Sequence, residues 1–379
     1  MSATEKNIEQ RIYKNIDQAL ADAEHQQLLP IAKEFPIELW QLLATHQLLG
    51  LTHPKNDHGR GLSYLHGVQA GRYLVKKLSS PGFVMAWVMH QFAVPLLSKL
   101  LDADTRYSYM DQLAKGTGLL AIAISEPGVG AHPKKLTTQA EKNGEYYILN
   151  GEKAHITNGP TADFYIVLAI TGRKQGRNQF SAFCVPQDTA GLERLEQEDF
   201  AALSPLAHCG LRFTDCIIPQ GNRLGREGEA FELIGKPIRT YEDALMMGPI
   251  TGALELLLEL MVKNSLPGPI LAKQQQQLGE LVAIKDTLNM LAQNAAKQLQ
   301  SDPAKPLLTS CMITFKQLSK HFQELAKMSF PNATQDSQFN AIMADVTLLL
   351  SIARSANLAK QEKHGNLYFQ DILNENTFT

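Results

Sequence analysis

The stretch GEKAHITNGP, residues 151–160, ends on Thr157, Asn158 and Gly159: a hydroxyl, an amide and a residue without a side chain. That set suits hydrogen bonds presented from a tight backbone turn. The polar and apolar residues before it do not alternate as those of a plain half-buried strand do. Upstream, AIAISEPGVGAH, residues 121–132, closes an apolar run on a second hydroxyl, Ser125. On local grounds alone, Ser125 and Thr157 both read as turn residues that satisfy neighbouring backbone groups. In KPIRTYEDALMMGP, residues 236–249, Arg239 and Glu242 stand three apart, so a helix puts them on one face as an ion pair, with Tyr241 and Asp243 beside them. Lys134 and Lys135 offer either a nucleotide-phosphate contact or a solvated charge pair. The four cysteines, Cys184, Cys209, Cys216 and Cys311, have neither CxxC nor metal-ligand spacing. They read as reduced thiols, which places the chain in the cytoplasm and assigns it no metal.

The elements that must position these residues follow from periodicity. From Asn7 to about Gly116 apolar residues recur at three- and four-residue steps, as in PIELWQLLATHQLLG, with Gly50 and Gly59 as helix stops. From Leu119 to about Leu224 the texture changes to short β-rich runs, LLAIAIS, EYYILNG, FYIVLAI, SAFCVP and LRFTDCIIP, separated by Gly, Pro and Asn. Helical periodicity returns after Gly228 and continues to about Lys360. The expected fold is mainly α with a central β-domain. Residues 1–117 form an N-terminal helical bundle, 118–226 a small antiparallel, barrel-like β-domain, and 227–379 a C-terminal four-helix bundle. At 379 residues and 44% hydrophobic content the chain can bury a large core. Its net charge of −2 gives no one-sided positive field, which argues against nucleic acid as a partner. No apolar run in the sequence approaches the roughly 20 residues that span a bilayer, so no membrane segment is expected.

Four collinear stretches carry a resemblance to the acyl-CoA dehydrogenase flavoproteins, as a divergent member. They are FPIELWQLLATHQLLGLTHPKNDHGRGLSY, AIAISEPGVGAH, ILNGEKAHITNGP and LAHCGLRFTDCIIPQGNRLGREGEAFELI, spread over residues 35 to about 260. The resemblance implies FAD as cofactor and α,β-dehydrogenation of an acyl-CoA thioester, with hydride transfer to flavin N5. It implies that Ser125, by its hydroxyl and backbone N–H, serves the pyrimidine edge of the flavin, that Thr157 serves the N5/O4 side, and that Ile122 and Ile124 lie against the ring. His155 stands where the family often has a tryptophan beside the flavin, and either tunes the ring or fills space. Lys263 and Gln274 stand where an arginine and a glutamine reach the FAD pyrophosphate across a subunit contact; Pro267 and Pro269 replace parts of the turn between them. Ala131 replaces the small hydroxyl that helps to hold the thioester ligand, and Arg239 and Tyr241 fall near the bound acyl-CoA.

The resemblance also implies a carboxylate base. Most members place it in a C-terminal loop before Gly-Thr, a smaller group on the helix of residues 236–249. No Glu-Gly-Thr occurs toward the C-terminus, and the helix position aligns with Tyr241, one residue before Glu242. Because one residue turns a helix by about 100°, Glu242 is the expected base only with a small slip. The implied partners are an acyl-CoA substrate, an electron-transfer flavoprotein as oxidant and further copies of the chain in a homodimer or homotetramer. Two rival readings stay open. One is a flavin oxidase or monooxygenase on the same fold; the other is a non-catalytic relative that has lost its base.

Overall fold

A computed structural model describes residues 3–101, 103–196, 202–265 and 271–376; the turn with Pro267 and Pro269 lies outside the described residues. Five helices come first: α1 (Ala3–His25), α2 (Ile37–Thr45), α3 (Tyr64–Leu78), α4 (Pro81–Ser98) and α5 (Ala103–Lys115). The strands follow: β1 (Leu120–Ala123), β2 (Gln139–Asn143), β3 (Tyr146–Thr157), β4 (Phe164–Lys174), β5 (Arg177–Pro186), β6 (Leu192–Glu196), β7 (His208–Pro219) and β8 (Arg223–Leu224). The rest is helical: α6 (Lys236–Leu245), α7 (Met247–Lys263), α8 (Ala272–Ser301), α9 (Pro306–Ser329), α10 (Ser337–Ser351) and α11 (Arg354–Asn376). The expected order of helices, strands and helices is therefore present.

Two compact units cut across this order. The first comprises Met1–Leu62 and Gly82–Glu242; the second comprises Ser63–Pro81 and Asp243–Thr379. In the first unit, one 8-stranded sheet runs β6-β7-β3-β2-β4-β5-β8, and β1 pairs with β4. Most pairs are antiparallel, but β1 and the start of β2 run parallel to β4, so the sheet is mixed rather than wholly antiparallel. The reason is that β1 enters from α5 instead of from a hairpin. Tyr147, Leu149, Ile156, Tyr165, Phe183 and Leu211 fill its inner face.

The helical part of the first unit buries an apolar α4, whose Phe83 meets Trp40 of α2 edge to face at 6.1 Å. Two histidines lie in this core: His53 is 0% exposed and His90 4%. Their rings sit 4.9 Å apart, and Trp40 covers His90 at 5.2 Å. The His53 Nε2 bonds the His90 carbonyl at 3.3 Å, while His53 Nδ1 and His90 Nε2 are buried without a partner. Burial holds both imidazoles down, His53 to about 4 and His90 well below its ordinary value, against the pull of the buried Asp57 on His53.

In the second unit α3 packs against α7 at backbone distance. A Cβ added at Gly248 or Gly252 would lie 2.2 Å from the carbonyl oxygen of Val68 or Arg72, so only glycine fits. Arg72 Nε also donates to Glu255 at 2.9 Å across this seam. The five C-terminal helices of this unit, α7 to α11, are thus joined by α3 from early in the chain. Contrary to the sequence expectation, one helical stretch, Phe231–Lys263, is long and apolar enough to cross a bilayer. It went unseen because polar residues of α6 interrupt the run. Its most apolar window is 83% buried within the protein, as in a core helix.

Candidate functional site

Past the end of β1 the chain runs through Ile124, Ser125 and Glu126 alongside β3. The Ser125 carbonyl accepts from Ala154 N at 2.9 Å, so the two motifs singled out in the sequence meet directly. Ile124 is buried; Ile122 and Ser125 are half-buried. Neither the N–H nor the hydroxyl of Ser125 finds an acceptor among the described residues.

Beneath this junction lies a buried ion pair. Lys153 Nζ donates to Glu126 Oε1 at 3.0 Å and to the Ile124 carbonyl at 3.1 Å. Glu126 also accepts from Thr137 N at 2.7 Å, Thr137 Oγ1 at 2.9 Å and Thr138 N at 2.9 Å. Burial alone would raise the Glu126 carboxyl, but the ammonium and these donors hold it well below the usual carboxylate range. Burial also draws Lys153 down, against the opposing pull of Glu126.

The broken alternation of GEKAHITNGP has a geometric cause. Between Lys153 and Ile156 the pairing of β3 with β7 shifts register, with Lys153 opposite Leu211 and Ile156 opposite Cys209. This is a bulge, which bends a strand and re-aims its side chains. His155 sits in it with φ +56° and an exposed side chain. Below it Thr157 Oγ1 meets His208 Nε2 at 3.3 Å. Asn158 follows in the left-handed region at φ +60°, its buried Oδ1 without a partner. At Gly159 a Cβ would lie 2.3 Å from Cys209 Sγ. The strand end therefore has room for no larger residue there.

In the same unit a π-turn over Phe231–Gly235 leads into α6, and Phe231 packs on Phe180 of β5 at 5.5 Å. Tyr241 stacks on Phe92 of α4 at 6.2 Å. Arg239 Nη1 donates to Glu242 Oε2 at 3.1 Å, both side chains mostly covered, as their spacing predicts. The next residue, Asp243, belongs to the second unit and is buried between Lys316 Nζ at 3.2 Å and Lys360 Nζ at 3.3 Å.

Comparison with known proteins gives this arrangement a setting. Residues 121–216, which hold both strand ends, match the model of the acyl-CoA dehydrogenase middle domain. An acyl-CoA dehydrogenase of Bacillus subtilis is 28% identical over 268 residues, 71% of this chain and 68% of that protein. The mitochondrial isovaleryl-CoA dehydrogenase of Arabidopsis thaliana is 28% identical over 263 residues. The match covers 69% of this chain but only 62%, less than two thirds, of that relative. Together these matches support a member of the acyl-CoA dehydrogenase family. Its fold agrees with that of the FAD complex of PigA at a TM-score of 0.82, with 20% identity, covering 97% of this chain and 98% of that one.

Measured against the family pattern, the remaining expected residues are dispersed. Ala131, Lys134 and Lys135 are exposed. Lys263, exposed in the last turn of α7, and Gln274, in the first turn of α8, both fall in the second unit. Gln274 Oε1 accepts from Leu271 N at 3.2 Å, so that side chain caps its own helix. The two-residue break between α10 and α11, Ile352 and Ala353, holds no acid. Sequence reasoning missed Lys153 and Glu126. The available signal was a charge inside each apolar motif, because buried charges come in pairs.

Proposed function

We propose that this protein is an FAD-dependent oxidoreductase that introduces an α,β double bond into an acyl thioester. What carries the reading is the unspent hydrogen-bonding capacity at the two strand ends: the N–H and hydroxyl of Ser125 past β1 and the buried Oδ1 of Asn158 past β3. A flavin edge alternates donors and acceptors, so groups of both kinds fit it. Ser125 and Thr157 would hold that edge, with Ile122 and Ile124 against the ring. FAD, when bound, supplies a hydride acceptor. Glu242 would take the proton α to the thioester carbonyl onto a carboxylate oxygen. Arg239, bonded to this carboxylate, fixes its rotamer. Ala131 leaves the thioester without a side-chain hydroxyl at that position, so substrate orientation rests on Arg239 and Tyr241.

One observation favours a second reading, a relative with weak or altered chemistry. The acids at positions 242 and 243 are both ion-paired. A base working at neutral pH gains from desolvation without a cation beside it. Assembly with further copies of the chain also belongs to the proposal. It is supported by the exposed Leu367, Tyr368, Phe369 and Ile372 on α11, an apolar cluster that needs a cover.

The deciding experiment is the visible absorption spectrum of the purified protein with FAD, followed by anaerobic addition of a series of acyl-CoAs. Bleaching by one acyl class supports the dehydrogenase and names its substrate. Bound flavin that no thioester bleaches refutes dehydrogenation and leaves the second reading.

A further inference from the structure

The carbonyl of Ile124 and the N–H of Ser125 belong to one peptide group. A cation on that oxygen draws electron density across the amide and makes its N–H a stronger donor, the cooperative effect seen along hydrogen-bond chains. Lys153 is that cation. Its Nζ is 3.1 Å from the Ile124 oxygen, and its side chain is 0% exposed, so water does not screen it. Glu126 would cancel the charge if it faced the lysine alone. Instead it divides its oxygens among Thr137 N, Thr137 Oγ1, Thr138 N and Lys153, and part of the lysine field is left for the peptide. A pin holding two strand ends together needs no ion pair, and buried charges cost several kcal/mol each to desolvate, about what well-packed apolar residues would save. The free N–H of Ser125, on the far side of the same amide, is what that cost can serve.

Resting on the flavin reading above, we infer that Lys153 is a polarising and positioning residue: through the Ile124–Ser125 peptide it strengthens the Ser125 N–H as a donor to the flavin's pyrimidine edge, and Glu126 sets how strongly. The stronger donor favours the reduced, more negative flavin, because preorganised donors act on charge as it develops.

The sequence permits a direct test, since Ile124–Ser125 is its only Ile–Ser step. In protein labelled with [1-13C]isoleucine and [15N]serine, an HNCO spectrum contains this one peptide. It is recorded beside the two-electron potential of bound FAD for wild type, Glu126→Gln, Lys153→Arg and the neutral pair Lys153→Met/Glu126→Gln. In the neutral pair the carbonyl signal moves toward that of an unbonded amide. The reduced-to-oxidised ratio at fixed ambient potential then falls on the order of tenfold, about 30 mV for a two-electron couple. Glu126→Gln alone removes the carboxylate that holds the buried Lys153 protonated, so it is recorded at descending pH; once the lysine carries its proton uncompensated both readouts move the other way, and Lys153→Arg keeps both near wild type. Opposite signs separate polarisation from loosened structure, which shifts every variant in one direction. If the neutral pair does not fold, Glu126→Gln decides by its sign. A lower or unchanged reduced-to-oxidised ratio in that variant across that whole pH range overturns the inference, as does a peptide signal that moves while the potential does not. A wild-type chain that takes up no FAD overturns the flavin reading itself, on unsubstituted protein, and the inference with it.

Discussion

Lowering the pH from 7 to 5 should destabilise the helical part of the first unit through His53 and His90. His53 is held at about 4 against an ordinary 6.5. In this window the unfolded chain therefore binds a proton that the folded chain refuses, and stability falls with pH. For a single group with those two values, the linkage integral gives a loss of about 2 kcal/mol at pH 5 and about 3 kcal/mol at pH 4, relative to pH 7. His90 shifts in the same direction and adds to it. Above pH 6.5 the contribution is complete. Asp57, buried and accepting from Ser98 Oγ at 2.5 Å, is the one counter-charge the His53 shift records, and its pull is already included in the value of about 4. The protein carries its own probe: both tryptophans, Trp40 and Trp87, lie in this layer, and Trp40 touches His90. Urea titrations followed by tryptophan fluorescence at pH 5, 6 and 7 measure the loss. The same titrations on His53→Gln/His90→Gln remove these two groups, while the new amide at position 53 can still donate to the carbonyl at position 90. The difference between pH 7 and pH 5 should shrink by about 2 kcal/mol or more in the double variant. An unchanged difference would mean that the two imidazoles are already solvated in the folded state, and the reasoning from their burial would fail.

Gly252→Ala should cost roughly 1–3 kcal/mol in thermal or urea unfolding of the second unit, since its Cβ would overlap a backbone oxygen that cannot rotate away. Ser125→Ala/Thr157→Ala should raise the dissociation constant for FAD about tenfold, one or two net hydrogen bonds, in a fluorescence-quenching titration; unaltered affinity would count against the strand-end site. Glu242→Gln should lower the rate of substrate-driven flavin bleaching by a factor on the order of 100 or more while leaving flavin content unchanged, and an unaffected rate ends its candidacy. Phe369→Glu with Tyr368→Glu should reduce the mass measured by light scattering if α11 is covered by another copy, and leave it unchanged if it is not.

The sequence was informative where function and folding ask for the same residues. Thr157, Asn158 and Gly159 advertised a strand end because a hydroxyl, a left-handed amide and a glycine are what such a turn needs. The failed alternation before them was the trace of the bulge at His155. Arg239 and Glu242 disclosed their pairing because helical spacing alone brings them together. What stayed hidden depends on residues far apart in the chain. Nothing within α3 announces that it packs with α7, since Gly248 and Gly252 show their purpose only when the backbone of Val68 and Arg72 arrives opposite them. The same holds for Lys153, which reads as a surface lysine until Glu126, 27 residues earlier, is found beside it. His53 and His90 are a third case, two scattered histidines until folding brings their rings to 4.9 Å. In each case the surroundings that explain the residue come from a distant stretch of chain, so periodicity within one element carries no record of them. The carboxylate base tests the limit of this logic. Glu242 is named by its neighbourhood in the chain, yet its basicity depends on whether Arg239 stays bonded to it when substrate arrives, and that exchange of partners belongs to the complex.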